Sequence, residues 1–570
     1  MKKFFAVVIA AIFLTTQLTS CSSTGLQAGS VINIAETDDF NSFNADNITN
    51  EASLAVNAEV SRLINPSFYY TDASGALVAN EKFGSVTLIS KSPFKVTYAL
   101  TGEAKWSDGV AVSAYDLMLS WLAARNPADA GFDTIRSASG LKFTSVAPTM
   151  SSDKKSLTIT YDHAVADWQT ALTITAAAHV VAEKAFGVTD AAEALTRFGM
   201  ALENSIADQS LISEQYGKVY LAREATTLPL VTAGAYKVES LSDTDGLKLK
   251  ANPAYTWGPT PTIETVNIRF YADSTAMLAA MQQGEVDICT PQESGIATNS
   301  DLIGLAKAAS AKYEFAASHN IEAVLLNFAS MSAFSNENTD VVKAAALKDA
   351  FLKLIPRAKI LTALSADNPV IEAKSWIYSN ASSYYAPFVE SNGSTEFAIQ
   401  NAEAAAELLK SANVRTPVDI RVLFDSNNPR AKNEFALLGQ YAYKVGFNLI
   451  DVSVADPRTV FSTGEFDAYI TTVPLAGEAG GNPYWFTAAV TGFADPALDA
   501  LLVDYSARVE TLDQIAVLKK IDAELYGAKF GLPLYQLPSL LVYSKRVKAI
   551  VGAPNGGSAT YGYWNWALNG

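Results

Sequence analysis

Histidine, cysteine and positive charge are scarce in this chain of 570 residues. Its three histidines (His163, His179, His319) are scattered, and its two cysteines are Cys21 and Cys289. Neither His-x-x-x-His nor Cys-x-x-Cys spacing occurs, so no metal and no cofactor is expected. A Gly-x-Ser-x-Gly elbow, a P-loop and a Rossmann glycine fingerprint are also missing, which leaves enzyme readings without a motif. Paired carboxylates abound in any acidic chain and say little about acid–base catalysis. Lysine and arginine number 42 against 58 aspartates and glutamates, a formal charge of −16. That balance argues against a nucleic-acid partner and against a polybasic membrane contact. Past the N-terminus, no segment is long and apolar enough to span a bilayer, which takes about 20 residues.

What is present begins with an export signal. Lys2 and Lys3 precede an apolar run over residues 4–14, too short to cross a membrane but suited to a signal-peptide core. Leu18-Thr19-Ser20-Cys21 resembles the lipobox of bacterial lipoproteins. The resemblance implies a signal peptide over 1–20, lipidation at Cys21, and a Ser/Gly-rich tether over 21–29. An ordinary secretory signal that happens to contain a cysteine is the alternative. The expected location is extracytoplasmic, lipid-anchored to the bacterial cell membrane, on its periplasmic side or the outer surface. With Cys21 lipidated, Cys289 stands alone and no internal disulfide forms.

The body reads as mixed α and β structure without repeats. Strands are expected over 31–35, 85–89, 94–100, 141–146, 156–161, 247–251 and 265–271, and helices over 54–64, 167–186 and 191–203. Later, strands 419–424, 447–454 and 467–473 alternate with helices over 431–445 and near Thr459. That alternation predicts parallel pairing through helical crossovers, an α/β lobe.

Residues 105–121 are the most informative stretch. Trp106-Ser107-Asp108-Gly109 ends a strand in a tight turn, and Ser113 with Asp116 three positions on begins a helix bearing Leu117, Trp121 and Leu122. The order of these residues resembles the signature of family 5 solute-binding proteins, the extracytoplasmic receptors of peptide-type ABC importers. Further landmarks resemble the same family in order: Gly234-Ala235-Tyr236 with Asn252-Pro253-Ala254-Tyr255, the Leu-x-x-Met-x-x-Gly-Glu-Val-Asp run ending at Asp287, Leu326-Asn327, and Gly531-Leu532-Pro533-Leu534-Tyr535. Ala235 and Pro356 depart from the family pattern, which has proline and an acid there.

The resemblance implies an α/β, two-lobed periplasmic-binding-protein-like fold (type II, hinge-closing, with an extra domain inserted in the first lobe). Lobe I would take 30–57, 222–271 and 532–570, the inserted domain 58–221, and lobe II 272–531. Hinge strands are expected near 271–274 and 531–537. The implied function is capture of oligopeptides between the lobes and delivery to ABC permease subunits by a non-catalytic monomer. An oligosaccharide, metal chelate or other small solute is the alternative, and a surface sensor or adhesion lipoprotein without a transport partner is another.

Two segments are implied to hold ligand: Thr49, Asn50 and Glu51, and the loop carrying Glu478, Gly480, Gly481, Asn482 and Trp485. In peptide binders an aspartate in this loop takes the α-ammonium. Ala479 stands there, with Glu478 adjacent. The loop glycines leave backbone free to pair with ligand. Trp376 is a candidate cleft wall. The structural alternatives are a solvated Glu478, core roles for Trp376, Tyr484 and Trp485, and a helix cap for Thr49–Glu51. Trp564 and Trp566 read as core. Replacing Cys21 by serine should move the protein from the membrane fraction to the soluble fraction on cell fractionation, and membrane retention would count against the lipobox.

Overall fold

The computed structural model describes residues 25–569 apart from 38–39, 48–52, 73–76, 126–130, 133, 135–139, 205, 223–229, 293–298, 337–338, 365–369, 381, 462, 478–480 and 554–557. Two strands organise everything else. Lys312–Leu326 and Gly531–Tyr543 run antiparallel along their whole length, from Lys312 opposite Tyr543 to Leu325 opposite Gly531. They sit in the middle of one long sheet. On one side lie Ala468–Pro474, Val418–Leu423 and Phe447–Asp451; on the other lie Ile288–Cys289, Gln27–Glu36, Ile263–Phe270, Gly246–Ala251 and Tyr236–Ser242. The pairing Val418–Leu423 makes with each of its neighbours is parallel, as the strand–helix alternation predicts.

The two halves of this sheet serve separate apolar cores. One collects Ile32, Ile34, Leu247 and Ile268 with the inserted domain's Trp106, Leu117, Trp121 and Leu157. The other collects Ile321, Val324, Phe351, Ile420, Val473, Trp376 and Phe530. Between the two cores the central strand pair loses its register, between Ala317 and Ile321 opposite Gln536–Pro538. Pro538 supplies no N–H to the ladder, so pairing is weakest where the lobes meet.

This placement corrects the lobe boundaries and one hinge. The helices Ser274–Gln282 and Asn299–Ala308 and the strand Ile288–Cys289 pack on lobe I, not lobe II. Asp273 caps the helix Ser274–Gln282 through the Ala276 N–H, which turns the chain back at 271–274 instead of crossing there. Met277 and Leu278 of that helix, with Leu302 of the next, pack on Ala35, Leu540 and Val542. Ile288 then pairs in parallel with Ile34. The crossover strands are therefore Lys312–Leu326 and Gly531–Tyr543. The helix Leu54–Ile64 also belongs with lobe I. Arg62 donates to Ser558 and Thr560 at 2.8 and 3.0 Å, and Ile64 accepts from Gly234 N. A boundary at 57/58 would cut that helix.

The inserted domain has its own antiparallel sheet, Gly84–Lys91, Phe94–Leu100, Ser156–Tyr161 and Thr149–Met150. Residues 141–146 are not its fourth strand: Gly140–Lys142 is a 3-10 turn, closed by the Thr144 hydroxyl on Leu141 O. The helix expected from 167 starts only at Ala178. Thr173-Ile174-Thr175 disfavour helix by β-branching. The buried Asp116 carboxylate then takes the Ala178 N–H at 2.8 Å.

That last bond explains the 105–121 signature. Gly109 has φ +95°, a left-handed turn suited to glycine. Asp116 accepts the Ser113 N–H at 2.8 Å, closing the helix start, while its other oxygen holds Ala178. Asp108 lies 2.7 Å from His179 Nε2. The two acids thus tie a turn and a helix to the beginning of Ala178–Phe186, and the motif is structural.

In lobe II a single carboxylate does similar work. Asp522 is fully buried and accepts from Ser375 Oγ (2.8 Å), Trp376 N (2.9 Å) and Asn392 Nδ2 (2.9 Å). Burial pushes its carboxyl up to about 6, only partly offset by those three donors. The native state therefore holds a proton that the unfolded chain has already released. Stability from this group is full below about pH 4 and lost as pH rises through about 6. Urea unfolding should show this slope in the wild type and lose it in Asp522→Asn, a difference on the order of 2–3 kcal/mol between pH 4 and 7. Identical slopes would remove Asp522 as its source.

Candidate functional site

The site is built where the crossover strands lose register. The strand Ala468–Pro474 lies beside Lys312–Leu326, with Pro474 opposite Asn320. Immediately after it, Leu475 N donates to His319 O at 2.7 Å, so the following loop is hydrogen-bonded to the lobe junction itself. Ala476 N and Gly477 N then donate to the carbonyls of Trp376 and Ile377. A Cβ on Gly477 would stand 2.6 Å from Ile377 Cγ2, and one on Gly481 2.3 Å from Leu475 O. These glycines let the loop fold back on its own base. That is a different use from the open pairing edge expected of Gly481.

Asn482 is exposed and caps the 3-10 turn Pro483–Phe486, taking the Tyr484 N–H at 2.9 Å. Trp485, half-buried, meets Phe486 edge-to-face at 5.5 Å. Gly481, Asn482 and Trp485 are thus brought together on one loop. Trp376 is not a cleft wall: it has no exposed surface and packs among Phe486, Tyr526 and Phe530, its segment pinned inward by Asp522. Thr49, Asn50, Glu51, Glu478, Gly480 and Cys21 lie outside the described residues. The segment leading to Thr49 is firmly held: Asn57 Oδ1 accepts Asn41 N and Ser42 N, Asp46 accepts from Thr175 and Tyr216, and Asn47 donates to Gly217 O.

Several contacts across the junction escaped sequence reasoning. Lys91 of the inserted domain pairs with Glu510 at 2.7 Å, and Gln514 donates to Ala166 O at 3.1 Å. Tyr484 and Tyr505, both raised above the ordinary phenol range chiefly by burial, also feel the Asp167 carboxylate. The Gln514 bond thus sets the helix Thr511–Gly527 against the 166–167 turn of the inserted domain. Beside the hinge, Arg430 pairs with the buried Glu322 at 3.0 Å, and Thr472 donates to the same oxygen. Charged side chains on different elements carry no local sequence signal. Only their topology joins them. Among the described residues no group of His, Cys, Asp and Glu is arranged to hold a metal ion.

Two lobes on a shared strand pair, with a glycine-bearing loop at their junction, define a hinged receptor for a small molecule. Residues 86–492 match the family model for bacterial extracellular solute-binding proteins, family 5 Middle, and the chain belongs to that family. An uncharacterized lipoprotein of Mycobacterium tuberculosis is 22% identical over 583 residues, covering 97% of this chain and 95% of that protein. Among solved structures, a periplasmic EDTA-binding protein, EppA, superposes with a TM-score of 0.77 at 20% identity, covering 95% of this chain and 97% of its own. The oligopeptide-binding protein AppA of Bacillus subtilis, solved with a nonapeptide, gives a TM-score of 0.66 at 12% identity, covering 95% and 99%. The family and fold are those of substrate-binding proteins, not enzymes.

If the loop is folded back as described, Gly481→Ala must displace backbone and should cost about 1–3 kcal/mol in urea unfolding. Gly439→Ala, inside the helix Pro429–Val445 with open space around it, should be neutral or stabilising by up to about 1 kcal/mol. Equal effects at the two positions would refute the packing assigned to Gly481.

Proposed function

We propose that this chain is a lipid-anchored solute receptor that captures oligopeptides between its lobes and hands them to ABC permease subunits. The observation that carries the reading is the bond from Leu475 N to His319 O, which fixes the start of the glycine-bearing loop where the two lobes meet. A solute bound there would touch both lobes, and closure about 317–321 and 536–538 would bury it. Peptide is favoured because an added extended strand needs mainly backbone partners, which Gly480 and Asn482 would offer. Thr49, Asn50 and Glu51 would pair with the peptide from lobe I, and Gly480 and Asn482 from lobe II, with Gly481 keeping the loop folded on its base. Glu478 would take the α-ammonium that Ala479 cannot, and Trp485 would flank the loop.

In this reading Cys21 carries the lipid, the protein stands outside the cell membrane, and it works as a monomer. A chelate-type solute is the second reading, favoured by Ala479 and by the fold similarity to the EDTA-binding protein. A thermal-shift comparison of unfolded and refolded protein separates them. Free-amine peptides at about 100 times their Kd should add about 2.7 kcal/mol of stability, and N-acetylated ones less. Glu478→Ala should abolish that difference. Stabilisation by metal chelates or oligosaccharides alone would displace the peptide reading.

A further inference from the structure

A groove of about 450 Å³ runs along the helix Leu54–Ile64, well away from the hinge. Its walls include Asp46, Arg62, Tyr70, Thr175, Tyr255 and Trp564, in lobe I and the inserted domain, and among the described residues none of its lining comes from lobe II. Its volume falls in the range of small-molecule sites, about 300–1,000 Å³.

Its chemistry is specific. The exposed guanidinium of Arg62 is held by one nitrogen, Nη1, which donates to Ser558 Oγ and Thr560 Oγ1. Among the described residues those hydroxyls are the acceptors its N–H groups have, and no carboxylate pairs with it. The acid one turn earlier, Glu59, is buried; burial pushes its carboxyl up and the nearby Arg62 charge pulls it back down, so Glu59 is a neighbouring charge to the guanidinium without being in ion-pair contact with it. Asp46, at the far end of the groove, is committed to the hydroxyls of Thr175 and Tyr216.

The same groove has an aromatic wall. Trp564 and Tyr70, both half-buried, meet edge-to-face at 5.5 Å, and Tyr563 braces Trp564 at 5.0 Å. Tyr561 is fixed by its hydroxyl on Thr71 O and Asp72 O. Trp564 lies in the 3-10 turn Tyr563–Asn565, so it is not part of an aromatic strand, whereas Trp566 is core as expected. A positioned cation and rigid ring surface lining one groove suit a flat apolar body that ends in an anion.

We infer that this groove is a second solute site, for a planar aromatic carboxylate, with the acid on Arg62 and the ring against Tyr70 and Trp564. The same chemistry is offered by a free aromatic acid and by the C-terminal aromatic residue of a peptide. Isothermal titration with indole-3-acetate, its uncharged amide, and N-acetyl-tryptophan as a peptide-end mimic tests the site and separates the two sources. The acid should bind saturably and the amide about threefold to tenfold more weakly, since only the acid can form the charge-assisted pair with Arg62. Binding of N-acetyl-tryptophan as tight as the free acid would assign peptide ends as the source, and weaker binding would assign free acids.

Arg62→Gln should lose the same factor. Because Arg62 also ties the helix to residues 558–560, Tyr70→Ala serves as a second variant whose weakened binding does not hinge on that tie. Gly481→Ala should bind the acid as the wild type does, so failure of the hinge-site reading and failure of this one are distinguishable. Equal binding of acid and amide, unchanged binding in both groove variants, or no saturation at millimolar concentration would overturn the inference.

Discussion

The pairing of Lys312–Leu326 with Gly531–Tyr543 is the constraint on which the rest depends. A strand pair of this length belongs to both lobes at once, so the lobes cannot separate without breaking a ladder of backbone hydrogen bonds. The ladder is interrupted at 317–321 opposite 536–538, and its register shifts again between Glu322 and Ala323, so resistance to bending is least over this stretch. The loop that begins at Leu475 is bonded to that interruption through His319 O. Motion at the hinge and the position of the loop are therefore mechanically one variable.

Around this axis polar groups, more than apolar ones, decide how segments join. Asp116 and Asp108 bind the signature turn to the helix at Ala178, Asp522 binds the Ser375–Trp376 segment to lobe II, and the Asn57 amide fixes the approach to Thr49. Arg357, almost fully buried, donates to the carbonyls of Ala373, Phe397 and Pro533 and pairs with Glu372, clamping the start of the return strand. Each of these would leave a buried charge or amide unpaired if its partner moved, a penalty that makes the arrangement specific.

Much of the fold was legible where local rules act alone. The helix over 54–64 and the strand over 94–100 match their expected bounds, because amphipathic spacing and alternation are properties of the segment itself. The family signature was legible for the same reason, since its acids act within a short turn and helix start. Lobe membership of the helices Ser274–Gln282 and Asn299–Ala308 was not. A Leu-x-x-Met helix looks the same whichever core receives it, and only the short strand Ile288–Cys289, two residues long, commits it to lobe I. Trp376 misled for a similar reason: a loop rich in aromatic residues reads alike whether its rings line a cleft or fill a core. The Lys91–Glu510 and Arg430–Glu322 pairs join residues more than a hundred positions apart, a distance at which sequence pattern is silent.

Lobe I is assembled from the two ends of the chain. Ile34 and Ile288 sit in a sheet completed by Tyr543, and the helix carrying Arg62 is held by Ser558 and Thr560, nearly five hundred residues later. During synthesis or passage through a translocation channel, the first lobe therefore has no finished edge until the last thirty or so residues have emerged. Lobe II, contained within one central stretch, meets no such delay. Lobe I thus joins the earliest-emerging strand to residues that emerge later than any lobe II needs, since the buried core of lobe II reaches only to Tyr535.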